Sequence, residues 1–498
     1  MRLTALWPVL LSGAAFALVA YRKQKHTWVV APARIRVVPQ AESWLIPVTV
    51  LARKSLPGPL VLEGVYSQGR DLSGALDTPL PVERAGLLGR GMKVLWEVRI
   101  SAARLPFAVE DRQDYPVEVR LRCGSQVSTC LTVMAVRSMP ADPDWVPADL
   151  HLHSLYSDGN KSPADIALVL KDEGYRVAYL TDHTDGISAH GWTAYREAVI
   201  AGSIGGQISL YPGAEITVVG QGPQGDLLAY GIGSLTGLEN KSYPPQGGID
   251  RVLANYPPGP SSPALAHPCG NPSWDDWSVS RYRGMELMSR FQTEFGEGAA
   301  PMVRWRSELT RLLASTFAHG FFASVRSGSD WHASPLDVGH RQYVTWIRTP
   351  GWDSQEEVDK ALYQGRTVVS EKGGLAYMTV SYSNPMVITA QVGDRLVGVP
   401  SGASLALDIT FWPVESGTYT VKVYQDDRKA EAFTWTGSCS GGTGHHPAVG
   451  HRFQFPGGVH YYYLSVVGPD HIYSSPIFVC DQEPGWPCRR LNPPLTLP

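Results

Sequence analysis

Asp149-Leu150-His151-Leu152-His153-Ser154-Leu155-Tyr156-Ser157-Asp158-Gly159 packs two imidazoles and a carboxylate into one short run. Val146 to His153 reads as the end of an extended segment. Residues two apart in a strand point to the same face, so the imidazoles of His151 and His153 converge as a chelating pair. Ser157-Asp158-Gly159 then turns the chain and returns a hard carboxylate to two borderline nitrogen donors. That mixture suits zinc, manganese or iron better than calcium.

Four more fragments work outward from this one. Val177-Ala178-Tyr179-Leu180-Thr181-Asp182-His183 is a buried-strand pattern ending in a polar tip, where a parallel barrel keeps its chemistry, and it offers His183 as a ligand. Ile208 to Glu215 repeats the arrangement with a carboxylate at the tip, and Ala264-Leu265-Ala266-His267-Pro268 repeats it with an imidazole. Val325-Arg326-Ser327-Gly328-Ser329-Asp330-Trp331-His332 is expected to set Asp330 and His332 on one strand face. A lone His-x-His is structural about as often as functional, and a lone Asp-x-His or His-Pro is structural more often than not. Five apolar strands that all end in metal-competent groups have no packing explanation, because such groups are costly to bury unless paired or metal-bound.

The set resembles the PHP family, named for its polymerase and histidinol-phosphatase members, and the motifs occur in that family's order over residues 147–372. Gln364-Gly365-Arg366-Thr367-Val368-Val369-Ser370 is similar to the ending of the branch that includes the carbaryl-type ester hydrolases. The resemblance implies an α/β fold, a distorted barrel of seven strands and helices with two or three divalent metals at the strand tips. It places His151, His153, Glu215 and Asp330 around one metal, and Asp158, His183 and His332 around a second. Glu215 would bridge to a third held by His267. Two departures weaken that third position: Asp226 stands where relatives often have a histidine, and Glu286-Leu287-Met288-Ser289 ends in a poor ligand where relatives tend to have asparagine.

Such metals make the chemistry hydrolytic. Water held by two dications is acidified towards neutral pH, and the same ions neutralise charge on a phosphoryl or acyl oxygen. Asp330 is the candidate to hold the water or take its proton, with His332 or His183 as the donor to a leaving oxygen. Asp149 and Asp182 read as carboxylates that orient imidazoles, or else as turn and capping groups. Arg326, Arg366, Lys161 and His340 are candidate phosphate contacts or ordinary surface charge. The expected substrate is a small-molecule phosphate ester, monoester before diester. A carboxylic or carbamate ester is the alternative, and a cell-surface binding module stabilised by metals is a third reading.

The remaining chain supplies context. At 498 residues it exceeds one core, and a net charge of −3 without a basic stripe gives duplex nucleic acid little to bind. Arg2 and the apolar run from Leu3 to Ala20 read as a signal peptide or membrane anchor within residues 1–25. Arg22, Lys23 and Lys25 leave its orientation open. The expectation is an extracytoplasmic protein: secreted, periplasmic or tethered to a membrane through residues 3–20. Cys123 and Cys130 have a spacing that a disulfide could close across a hairpin, Cys480 and Cys488 form a second pair, and Cys269 reads as a buried thiol or disulfide partner. Period-two alternation predicts β-rich, sandwich-like domains over residues 28–140 and 373–480, before a Pro-rich tail at 481–498.

Overall fold

The computed structural model describes residues 28–52, 60–77, 86–88, 91–219, 223–238, 245–257, 260–270, 273–274, 277–292, 294–296, 298–315, 323–333, 340, 342–383, 386–426, 428–437 and 451–481. The apolar N-terminal segment, the stretch holding His445 and His446 and the tail beyond Asp481 lie outside these residues. The chain divides into two compact units, residues 1–137 with 333–340 and residues 138–332 with 341–498.

In the first unit, alternating sequence makes two-faced strands. Ser43–Ala52 pairs antiparallel with Gly91–Ser101, placing Trp44 opposite Ile100 and Val48 opposite Trp96. A second sheet contains the hairpin of Asp114–Cys123 and Gln126–Val136. Gly124, at φ 61°, opens its two-residue turn with the positive φ that a tight hairpin requires. Trp44, Ile46 and Val48 from one sheet share a buried core with Val117, Val119 and Met134 from the other. The hairpin register corrects the disulfide expected here. Cys123 faces Gln126 and Cys130 faces Val119, so the two are offset by four rungs, roughly 13 Å along the ladder. A disulfide needs Cα atoms within about 7 Å, and both residues are buried thiols.

The second unit is mixed α/β. Its strands are β1 (Trp145–Leu152), β2 (Val177–Leu180), β3 (Ser209–Val219), β4 (Pro223–Tyr230), β5 (Ala264–Ala266), β6 (Gly284–Met288), β7 (Ser324–Ser327), β8 (Val344–Arg348) and β9 (Thr367–Ser370). They lie side by side in the order β7-β6-β5-β4-β3-β2-β1-β8-β9. The pairs β1–β2, β2–β3, β5–β6 and β6–β7 are parallel. The pairs β3–β4, β4–β5, β1–β8 and β8–β9 are antiparallel. β3 and β4 run antiparallel because three residues separate them, too few for the crossover that a parallel pair needs. β1 and β2 are buried on both faces and accordingly read as near-continuous apolar runs.

Two of this unit's helices start at side-chain caps, Ser162 and Ser354. Helix α1 (Pro163–Asp172) starts at Ser162, whose side chain accepts the Asp165 amide, with Pro163 in the first turn. Helices α2 (Thr184–His190) and α3 (Trp192–Ala201) follow β2. Helix α4 (Pro245–Ala254) precedes β5, and α5 (Ala300–Ser315) connects β6 to β7. Helix α6 (Gln355–Gln364) is capped by Ser354 and ends at Gly365 in the left-handed region, φ 70°. Its Val358, Ala361 and Leu362 join Val146, Leu150, Val177, Tyr179 and Ala266 in one core.

At the tips of these strands the chain curls back on itself. Asp330 donates its amide to His151 O at 2.8 Å, and His153 donates to Trp331 O at 3.0 Å. The segment leaving β7 is thereby joined to the end of β1. At the other edge, β9 pairs with Ile472–Ser474, and the ladder continues through Val459–Val467 and Gly417–Gln425 to Arg428–Gly437. The sequence-based boundary near residue 372 therefore falls inside a continuous hydrogen-bonded sheet.

Candidate metal centre

His151, His153, Glu215 and Asp330 meet at one point although they come from three distant parts of the chain. His153 Nε2 lies 3.2 Å from His151 Nε2, 3.2 Å from Glu215 Oε2 and 3.2 Å from Asp330 Oδ1. His151 Nε2 lies 3.4 Å from the same Glu215 oxygen and 3.5 Å from the same Asp330 oxygen. Donors bound at about 2.0 Å around a tetrahedral ion stand roughly 3.3 Å apart, so these separations match a shared ion. Two buried imidazole nitrogens facing each other at this distance need a cation or a proton between them.

Two further donor groups adjoin the first. His153, Asp158, His183 and His332 form one, and Glu215, Asp226 and His267 form the other. His332 Nε2 is 3.3 Å and His183 Nε2 3.8 Å from Asp158 Oδ2. His267 Nε2 is 3.4 Å from Glu215 Oε1 and 3.6 Å from Asp226 Oδ2. All eight expected ligands thus lie in one connected cluster, with Asp226 added. Asp330 Oδ2, Asp226 Oδ1 and His267 Nδ1 are buried with no hydrogen-bond partner among the described residues, a costly state that a cation relieves. The donor set fits divalent metal ions.

The charge balance says the same. Burial opposes a charged His153, yet hydrogen bonds and proximity to Asp330 and Glu215 overcome it and push the imidazole up to about 10. His267 is driven to about 9 against burial, chiefly by Glu215. Glu215 and Asp330 are held well below the usual carboxylate range: burial opposes ionisation, and the surrounding imidazoles outweigh it. The pocket demands positive charge, and protons supply it when metals do not. Asp226 goes the other way, raised to about 7 by burial and the nearby Glu215 carboxylate. A metal in that third group would have to displace a proton at neutral pH.

Local backbone differs from expectation at two ligands. Asp330 and His332 do not share a strand face. β7 ends at Ser327, and Asp330 adopts φ 52°, a left-handed conformation that redirects the chain. They converge because the Asp330 amide is tied to β1 and His332 Nδ1 sits 3.0 Å from Asp330 O. Glu215 is not a strand tip either: β3 continues to Val219 as the antiparallel partner of β4. Gly328 makes the junction possible, since a Cβ there would collide with His151 Cβ and stand 2.8 Å from Glu286 Oε1.

The imidazole-orienting carboxylate is Glu286. Its Oε1 lies 3.2 Å from His151 Nδ1, and its Oε2 accepts the His267 amide at 2.7 Å. Holding Nδ1 as the N–H leaves Nε2 free to face the cluster. Asp149 instead accepts the backbone amides of His151 and Ser329, and Asp182 accepts from Ser154 and Ser157. These two tie loops together. In sequence, Glu286 stands out only as the start of the Glu286-Leu287-Met288-Ser289 stretch, with no orienting role attached to it.

Of the four residues read as phosphate contacts or ordinary surface charge, Arg326 and Arg366 are engaged elsewhere. Arg326 is fully buried, donating to Ser262 O and Leu362 O beneath the Tyr230 ring. Arg366 pairs with Asp394 beside the α6 terminus. Lys161 is buried, and His340 belongs to the segment grouped with the first unit. Cys269 is a partly buried thiol whose pKa is raised by burial. Cys480 is disulfide-bonded.

No protein-family profile matches the sequence, and no curated protein sequence matches it either. Among solved structures, the chain is similar to a two-domain protein of Bacteroides vulgatus containing a predicted PHP-like metal-dependent phosphoesterase. Identity is 14% over 66% of this chain and 94% of that one, with a TM-score of 0.34. It is also similar to a protein of Bifidobacterium adolescentis assigned as a metal-dependent phosphoesterase, at 16% identity over 38% of this chain and 89% of that one, with a TM-score of 0.23. The pilin subunit CooA of enterotoxigenic Escherichia coli matches 23% of this chain and 99% of its own, at 13% identity and a TM-score of 0.14.

Proposed function

We propose that this chain is an extracytoplasmic, PHP-type metal-dependent hydrolase acting on small phosphate esters, monoesters before diesters. The observation that carries the proposal is the convergence of His151, His153, Glu215 and Asp330 at 3.2 to 3.5 Å beside two further donor groups that share His153 and Glu215. A closed mononuclear structural site has no use for adjoining donor groups. Divalent ions bound there supply an acidified water and neutralise charge on the ester oxygens.

The chain's own groups then have distinct tasks. Asp330 turns Oδ1 to both imidazoles and leaves Oδ2 without a hydrogen-bond partner among the described residues, so Oδ2 is placed to take a proton from water. Burial opposes its ionisation, but the neighbouring imidazoles of His151 and His153 outweigh it and keep the group ionised. Glu286 fixes the His151 ring. His332 and His183 stand at the solvent side, with side chains 14% and 22% exposed, where either can protonate a departing oxygen when it is not serving as a ligand.

The test is elemental analysis of the purified protein together with hydrolysis of p-nitrophenyl phosphate, bis-p-nitrophenyl phosphate and p-nitrophenyl acetate before and after metal removal. Bound divalent metal and phosphatase activity restored by adding it back are expected. Cleavage of the acetate alone would replace this reading with a carboxyl-ester hydrolase, and a metal-free, inactive protein would end it.

A further inference from the structure

Strand β6 ends in a two-residue turn that the mechanism does not use. Ser289 and Gln292 form an antiparallel bridge, with the Gln292 amide donating to Ser289 O at 3.1 Å. The Gln292 side chain clamps the turn: Nε2 donates to Glu286 O at 2.7 Å, and Oε1 accepts the Cys269 amide at 2.6 Å. Both Ser289 and Gln292 are buried. Gly270 leaves the needed room, because a Cβ there would stand 2.6 Å from Phe291 Cβ. The turn is therefore fixed to the strand carrying Glu286 and to the loop carrying His267.

At its apex are Arg290 and Phe291. Arg290 Nη1 lies 3.3 Å from His332 Nδ1, and its guanidinium carbon is 5.3 Å from the Phe291 ring. The Phe291 ring meets the His267 ring edge-on at 5.4 Å, yet the residue is 42% exposed. A rigid turn thus holds a cation beside one end of the donor cluster and a solvent-facing aromatic beside the other. Asp158, Glu215, Asp226, Glu286 and Asp330 stand in or behind the donor cluster. An anionic ester approaching them gains from a guanidinium whose planar fork matches phosphate oxygens. An exposed ring next to it offers a stacking face.

We propose that Arg290 and Phe291 form a substrate-recognition lip. Arg290 binds a phosphate oxygen, and Phe291 stacks on a planar aromatic group of the alcohol, so the preferred substrates are aryl or nucleoside phosphates rather than alkyl phosphates. This rests on the phosphoesterase reading above and names its substrate class. Neither residue is a metal ligand.

The experiment uses the full-length, metal-loaded protein. Binding of inorganic phosphate is measured by calorimetry, and kcat and KM are measured for p-nitrophenyl phosphate, adenosine monophosphate and butyl phosphate. Bound metal is checked in every variant. Arg290→Ala is expected to weaken phosphate binding roughly tenfold to a hundredfold, the span of one charge-assisted hydrogen bond, at unchanged metal content. Arg290→Lys should recover part of the loss. Phe291→Ala is expected to lower kcat/KM for the two aromatic esters about tenfold, through KM, and to leave butyl phosphate unaffected. A larger loss for adenosine monophosphate than for p-nitrophenyl phosphate would single out nucleosides. Phosphate binding by Arg290→Ala as tight as in the unmodified protein overturns the lip, as does an equal loss for all three esters in Phe291→Ala. Phosphate binding that depends on Arg290, without hydrolysis of any ester, would instead overturn the phosphoesterase reading and keep the Arg290 contact.

Discussion

The floor and the mouth of the donor cluster use the same residue types in opposite surroundings. His151, His153, Glu215 and Asp330 are at most 2% exposed, whereas the Asp158 side chain is 57% exposed and those of His183 and His332 are 22% and 14%. Water can stabilise an unliganded carboxylate at the mouth, but at the floor only protons or metal ions can. The floor should accordingly bind its ion tightly and with structural consequences. The mouth should exchange its ion readily.

The comparison breaks most sharply at Asp330. Asp330→Ala removes a floor carboxylate and the proposed proton acceptor together, so hydrolysis should fall about a thousandfold or more, with loss of bound metal by elemental analysis. Turnover at the original rate would remove Asp330 from the mechanism. Glu286→Gln comes next. It reaches the floor through His151 Nδ1 and also holds the His267 amide, and metal affinity should weaken about tenfold to a hundredfold in a chelator competition. An unchanged affinity would mean that the His151 ring needs no help in orienting.

Asp158→Asn probes the mouth. One ion should become easier to remove while the melting temperature moves by no more than about 2 °C, since exposed substitutions usually stay within ±0.5 kcal/mol. Simultaneous loss of all metal would show that floor and mouth are not separable. The smallest effect is in pH. In the metal-free protein His153 and His267 hold their protons to about 10 and about 9, above an unfolded value near 6.5. Raised pKa values of this kind contribute stability that is fully present below about pH 6.5 and lost as pH rises through 9 to 10. The metal-free melting temperature should therefore decline from pH 7 to 10 while the loaded protein changes less, and metal affinity should climb over the same range as proton competition fades. A metal-free protein with no such decline would contradict the proton-filled floor.

Legibility from sequence followed the range of the interaction. His151, His153 and Asp158 were readable because a strand period and a turn act within eleven residues. The capping of α1 by Ser162 and of α6 by Ser354 is equally local. Asp330 was found for its chemistry but given the wrong backbone, because its left-handed turn goes with the hydrogen bond its N–H donates to His151 O, nearly 180 residues away. The role of Glu286, and Arg290 altogether, escaped because they act only once β6 is seated beside β5 and β7. Arg326 misled for the opposite reason: a cation two residues before Gly328 looks available until burial is known.

The union of β9 with Ile472–Ser474 bears on how this protein can be cut and recombined. A truncation at residue 372 would strip β9 of its neighbour and leave a raw strand margin one step from β8 and two from the histidine-bearing β1. Such a fragment is a candidate for self-association rather than a minimal enzyme. The strands from Gly417 to Ser474 that extend this sheet act as a selvedge to the weave that carries the histidines.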